Sequence, residues 1–178
     1  PSWYFATMGA GYDWILEYDI HTKELYVPIT TEDNDMTDRY KAWRFDGERF
    51  VYQGERPNRH LHSSLSQYDR LLQYITTKDY IVRVDLLANG ELRYSSWSKP
   101  GTTEEDPDIV LTGGKKVHYE VASNQLPPCD EYHFKNGSYQ YIVNHCEVGR
   151  DKNGDGVHHD YLMVMSEGKV LSKQEIEK

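Results

Sequence analysis

Trp43-Arg-Phe45-Asp-Gly47-Glu-Arg-Phe50-Val-Tyr52 and Tyr132-His-Phe134-Lys-Asn136-Gly137-Ser-Tyr139-Gln-Tyr141 carry one template twice: aromatic, any residue, Phe, four residues, aromatic, any residue, Tyr. Each half alternates, and Asp-Gly or Asn-Gly stands at each centre. Such a pair marks a tight β-hairpin turn, because the turn needs positive φ, which Gly adopts freely and Asn or Asp tolerate. Successive side chains of a strand point to opposite faces. Trp43, Phe45, Phe50 and Tyr52 therefore share one face, and Tyr132, Phe134, Tyr139 and Tyr141 share the equivalent face of the second copy. The pattern predicts Gly47 and the Asn136-Gly137 pair at turn centres, Trp43 and Phe134 mostly buried, and Arg44 and His133 pointing the other way. Flat rings also stack on sugars or peptides. Because these are the only apolar faces their hairpins own, cross-strand core packing is the expected role.

Working outward, the copies at 40–53 and 131–146 imply an internal duplication, too few repeats for a solenoid or propeller. A further hairpin is expected over Glu17–Val27, turning at His21–Glu24, with Pro28 ending its second strand. Another spans Tyr80–Leu87 and Glu91–Trp97 around Asn89-Gly90. Gly113-Gly114 and Glu167-Gly168 mark two more turns. Between the copies, Leu61, Leu65, Tyr68, Leu71, Leu72 and Ile75 recur near the helical period, which predicts one short helix at about 63–75 capped by Ser63 or Ser64. The expectation is a mainly β chain built from hairpins, an antiparallel sandwich, barrel or meander. At 178 residues it fits one domain, 1–178, or two small ones with an intimate interface.

The apolar material is unusual, with 15 Tyr and 4 Trp against 4 Phe. Tyr pairs a packing ring with a hydroxyl that seeks a partner or water, which suits thin β layers with half-wet faces. Lys and Arg number 20 against 29 Asp and Glu, a net charge of −9. That balance argues against nucleic acid and anionic membrane as partners. No stretch approaches the ~20 apolar residues of a spanning helix.

Candidate sites are few. Asp151, Asn153, Asp155 and Asp160 fall in Asp151-Lys-Asn-Gly-Asp155-Gly-Val-His-His-Asp160, whose alternating oxygen donors and glycines open like a calcium loop. The loop resembles the Asp-x-Asn-Gly-Asp-Gly turns of FG-GAP and integrin-like β repeats, which place the next Asp one residue earlier. A helix-flanked calcium loop would want Glu where Leu162 stands, so a plain Asn/Asp/Gly hairpin loop is the competing reading. Ca²⁺ is the one cofactor considered. His60-x-His62 could chelate a metal only from extended chain. Cys129 and Cys146 flank the second hairpin. Pairing Phe134 with Tyr139 sets them one diagonal step apart, and a two-residue register change or a bulge brings them opposite, within disulfide reach. No Gly-x-Ser-x-Gly elbow surrounds Ser63, Ser64, Ser95 or Ser96. In His145-Cys146 the two side chains diverge. Glu104, Glu105, Asp106 and Asp108 lie in a polar loop. No catalytic residue is assigned.

Leu61-His-Ser-Ser-Leu65, Leu72-Gln-Tyr-Ile-Thr-Thr-Lys78-Asp79-Tyr80-Ile-Val-Arg83-Val84-Asp85 and Leu92-Arg-Tyr94-Ser-Ser-Trp97 resemble uncharacterised exported proteins of gut-dwelling Gram-negative bacteria. Asp38-Arg39-Tyr40 and Pro107-Asp-Ile-Val110 resemble them too, and the likeness covers about 17–171. It implies a secreted, periplasmic or envelope location and transfers no activity. The expected function is a non-catalytic exported β domain, a binding or accessory module for a protein or carbohydrate partner. The alternatives are a hydrolase with a loop-built carboxylate/His site, and an inhibitor or immunity-type protein with an acidic binding surface.

Overall fold

The computed structural model describes residues 2–9, 12–30, 36–119, 129–150 and 156–177. Among these the chain is almost wholly antiparallel β, with fifteen strands and one 3₁₀ turn. Its backbone falls into two compact units, Pro1–Ser66 and Gln67–Lys178.

The first unit is an open five-stranded meander. β1 (Ser2–Gly9), β2 (Tyr12–Asp19), β3 (Glu24–Thr30), β4 (Met36–Phe45) and β5 (Phe50–Pro57) lie side by side in chain order. Lys23, with φ of 57°, helps close the β2–β3 turn at the expected place. Pro28 does not end β3. It pairs with Tyr40 inside the strand, and a register shift just beyond it absorbs its missing N–H.

The second unit is a sandwich. β6 (Arg70–Thr76), β7 (Tyr80–Leu86), β8 (Leu92–Ser98) and β9 (Ile109–Thr112) form one sheet. The other runs β10 (Lys115–Tyr119), β11 (Cys129–Asn136), β12 (Tyr139–Arg150), β14 (Tyr161–Ser166) and β15 (Lys169–Glu175), with β13 (Gly156–His158) paired to β12. Val82, Val84 and Tyr94 of the first layer meet Tyr132, Phe134, Val143 and Leu162 of the second in a single buried core. The Tyr94 ring lies 5.5 Å from Phe134 and 5.4 Å from Tyr141. Gly113-Gly114 is not a hairpin turn. β9 pairs with β8 and β10 with β11, so these glycines carry the chain from one layer to the other. A side chain at Gly114 would put its Cβ 2.2 Å from the buried Phe134 ring, so the crossing needs bare backbone there.

The helix expected at about 63–75 is absent. Ser63–Leu65 forms a 3₁₀ turn capped by His62, and Arg70–Thr76 is strand β6. Its register jumps between Leu71 and Gln73 against β7, so Leu72 is an extra, bulged residue. The bulge lets Leu72 and Ile75, three positions apart, both meet the core, which imitates helical spacing.

Arg83, Asp85 and Arg93 line the face of β7 and β8 opposite the apolar core. Asp85 accepts from Arg93 Nη2 at 2.7 Å and forms an ion pair with Arg83, whose Nε lies 2.7 Å from its other oxygen; all three residues are buried. Arg83 also stacks 4.5 Å above the Tyr68 ring. Two guanidiniums flank the one buried carboxylate, which would be costly to enclose unpaired.

Candidate functional site

The two template copies are built differently. In the β4–β5 hairpin Phe45 pairs with Phe50 and Trp43 with Tyr52. The loop between is Asp46–Arg49, with Gly47 at φ of 117°. Asp46 holds it open: its Oδ1 accepts from the N–H of Glu48 at 2.9 Å and of Arg49 at 3.0 Å. In the β11–β12 hairpin Asn136 pairs with Tyr139, leaving a two-residue turn at Gly137-Ser138. Gly137, with φ of 60°, takes its first position, as a type II′ turn requires. Asn136 ends the strand rather than sharing the turn centre, which corrects the expected position.

That shift moves the whole second copy by two residues. Phe134 faces Tyr141, Tyr132 faces Val143, and Cys129 faces Cys146. The cysteine Cα atoms are 4.4 Å apart and the sulfurs lie within bonding distance. Phe134 and Tyr132 are buried, and His133 points away from them, as the alternation required. Arg44 likewise faces away from Trp43 and is exposed.

The first copy's rings are not core. Trp43 and Phe45 are half-buried, while Phe50 and Tyr52 are 44% and 47% exposed. Trp43 is therefore largely covered, as expected, but less enclosed than Phe134 of the second copy. The rings instead pack on one another: Trp43–Tyr52 centroids are 5.1 Å apart, Phe45–Phe50 5.3 Å, and Tyr18–Phe50 6.2 Å. The better buried face of this sheet is the opposite one. There Glu17 is enclosed with Arg59 Nη1 at 3.5 Å and His60 Nε2 at 3.1 Å, and Arg59 lies 5.0 Å over the Tyr26 ring.

Among the described residues β5 pairs only with β4, so the ladder lies against a sheet edge. The N–H of Phe45 donates to the Lys23 carbonyl at 2.9 Å, on the β3 side. Phe45 and Phe50 are therefore a non-hydrogen-bonded pair, which brings their side chains close. It also turns the N–H and C=O of Phe50, and those of Tyr52 two residues on, away from β4 toward the open edge. Val51, between them, is 37% exposed on the other face. Rings and unpaired backbone thus lie together along one short strand.

Of the calcium-loop residues, Asp151, Asn153 and Asp155 lie outside the described residues. Asp160 is buried with its Oδ1 2.9 Å from His145 Nδ1. Among the described residues no three His, Cys, Asp or Glu side chains are grouped to hold a metal. His60 and His62 do not converge: one reaches Glu17, the other caps the 3₁₀ turn. His62 Nδ1 is 2.8 Å from Ser64 Oγ, but Ser64 N–H points at the same nitrogen, which makes the contact a local cap. At His133, Nε2 reaches Glu131 Oε2 at 2.7 Å and Nδ1 faces the Gln140 amide nitrogen at 2.9 Å. An amide in the position of a nucleophile or bound water gives no acyl-transfer geometry. Glu131 also takes the Tyr161 hydroxyl at 3.3 Å. Burial and that carboxylate push the tyrosine pKa up to about 12, so it stays a donor at neutral pH.

The alternation marked which rings share a face, but nothing in it told which ladder would be covered. His60 stood out only as half of a His-x-His pair, and Arg59 and Glu17 had no signal beyond isolated charge. No described helix is long and apolar enough to cross a membrane. No family model matches the chain, and no curated protein or solved structure matches it.

Proposed function

We propose that this protein is a non-catalytic exported β module that binds an extended segment of a partner protein along strand β5. The observation that carries the reading is the exposure of Phe50 and Tyr52 on an edge strand whose backbone donors and acceptors point outward. An added strand would satisfy those groups while its alternate apolar side chains meet the ring ladder. A carbohydrate is the weaker candidate. Sugar stacking wants rings lying flat in one plane, whereas Trp43–Tyr52 and Phe45–Phe50 are tilted by 53° and 49°. Tilted rings form a ridged apolar surface suited to side chains. Export is supported by the resemblance above and by the Cys129–Cys146 pair, since a bridge persists in oxidising compartments.

The test is selection of extended peptides on the full chain, followed by titration of the tightest one into isotope-labelled protein. The amide signals of Phe50, Val51 and Tyr52 should move most. Phe50→Lys with Tyr52→Lys should weaken binding by at least ~10-fold. Peptides that map elsewhere, or bind the double variant equally well, would reject the reading. Binding of an oligosaccharide through Trp43 and Tyr52 would replace it with the carbohydrate one.

A further inference from the structure

The second unit carries a cleft of about 390 Å³ on the face of the β10–β11–β12 sheet that points away from the core. Its walls follow from register. Lys115 on β10 stands opposite His133 on β11, and Lys135, two residues along β11, stands opposite Gln140 on β12. All four therefore share one face. Thr112, just before the crossing at Gly113-Gly114, closes one end, and Val117 adds an apolar patch.

The electrostatics of this cleft run against those of the chain. The protein carries 29 acidic residues and 20 basic ones, yet among the described residues no carboxylate lines the cavity. Among the described residues, neither Lys115 nor Lys135 has a carboxylate within ion-pairing distance, whereas the neighbouring Lys116 is held 2.8 Å from Asp130 on the other face. Glu131, the nearest acid along β11, is engaged by His133 Nε2 and by the Tyr161 hydroxyl. With its amide nitrogen facing His133 Nδ1, Gln140 uses one N–H to fix the ring, which then carries its proton on Nε2 toward Glu131. The second amide N–H of Gln140 remains for a ligand.

We infer that this cleft is a binding site for a small molecule bearing a tetrahedral oxyanion, a phosphate or sulfate group. Two lysines supply compact point charges and flexible donors, with no guanidinium fork to select a planar carboxylate. Gln140 and the Thr112 hydroxyl supply neutral hydrogen bonds. The volume exceeds that of a bare oxyanion, so the group is carried on a small body that rests against Val117. This site is separate from the β5 edge and stands whether or not that edge binds a peptide.

The experiment is a titration of the full isotope-labelled chain with inorganic phosphate, inorganic sulfate and acetate at fixed ionic strength, read at backbone amides. Phosphate or sulfate should give saturable shifts centred on Lys115, His133, Lys135 and Gln140, with acetate at least ~10-fold weaker. Lys115→Gln with Lys135→Gln should raise the dissociation constant at least ~10-fold, and Lys116→Gln should leave it unchanged. An unperturbed amide spectrum elsewhere shows that the double variant is folded. Shifts that never saturate, that spread evenly over the surface lysines, or that survive the double substitution would overturn the inference. An equal response to acetate would overturn the tetrahedral selectivity.

Discussion

Two hairpins written in one template end in opposite environments, and the difference begins at the turn. In the first, Asp46 draws two backbone N–H groups onto its carboxylate and opens a four-residue loop, so each ring pairs with its counterpart. In the second, Gly137-Ser138 closes the chain in two residues, and Tyr139 slides out to face Asn136. The slip aligns the cysteines, and Phe134 and Tyr132 meet a facing sheet that supplies Tyr94, Val82 and Val84. The first hairpin's rings pack on each other and on Tyr18. Ring spacing thus sets which side chains are neighbours along a ribbon, while turn chemistry and the presence of a second layer decide whether they become scaffold or surface.

The largest expected effect separates the two ladders directly. Phe134→Ala should cost about 3–5 kcal/mol of stability in the second unit, as removal of a buried ring does. Phe50→Ala, which removes one partly exposed ring of a cross-strand pair, should cost no more than about 1 kcal/mol. Urea unfolding of each variant measures both, and equal losses would erase the distinction between scaffold and surface. Next comes the bridge. Cys129 and Cys146 are 17 residues apart, and reducing a loop of that size should cost about 3 kcal/mol in the second unit alone. Thermal melting with and without a reductant checks this, and an unchanged melt would remove the bridge.

The smallest effect concerns acid. Hydrogen bonds from the Arg49 and Glu48 backbone hold the Asp46 carboxyl below its ordinary value of 3.8. A depressed folded pKa contributes stability that is complete above the unfolded value and is lost as pH falls through the folded one. The first turn should therefore loosen only in acid below about pH 4. The second turn, where Lys135 stands at the corresponding position and Asn136 precedes Gly137, has no carboxylate to titrate and should show no such step. Amide exchange of Glu48 and Arg49 followed from about pH 6 down to about pH 2 reads it, and Asp46→Asn should flatten the curve.

Much of the architecture was legible from residue order. Alternation around Asn89-Gly90 and Glu167-Gly168 marked hairpins that are present at β7–β8 and β14–β15. Three things were not legible, each for a physical reason. A bulge at Leu72 changes local spacing from two to three, so β6 imitates a helix. Asn136-Gly137 is compatible with two turn positions, and the choice depends on what the flanking strands then bury. Gly113-Gly114 looks like any tight turn, although its neighbours pair with strands of different sheets. The oxyanion cleft depends on that crossing, since only the β10–β11 register brings Lys115 beside His133. The exposed ladder was hidden for a simpler reason: a stripe of rings carries no information about its cover.

The Arg83–Asp85–Arg93 cluster acts as a proofreader of strand alignment. β7 alternates ionic and hydrocarbon side chains, and both of its faces are enclosed. Sliding it one position along β6 or β8 would deliver a guanidinium and a carboxylate into the oily layer and strand Val82 and Val84 among charges. Few misaligned intermediates could survive that exchange, so the innermost ribbon of the second unit has one stable way to lie.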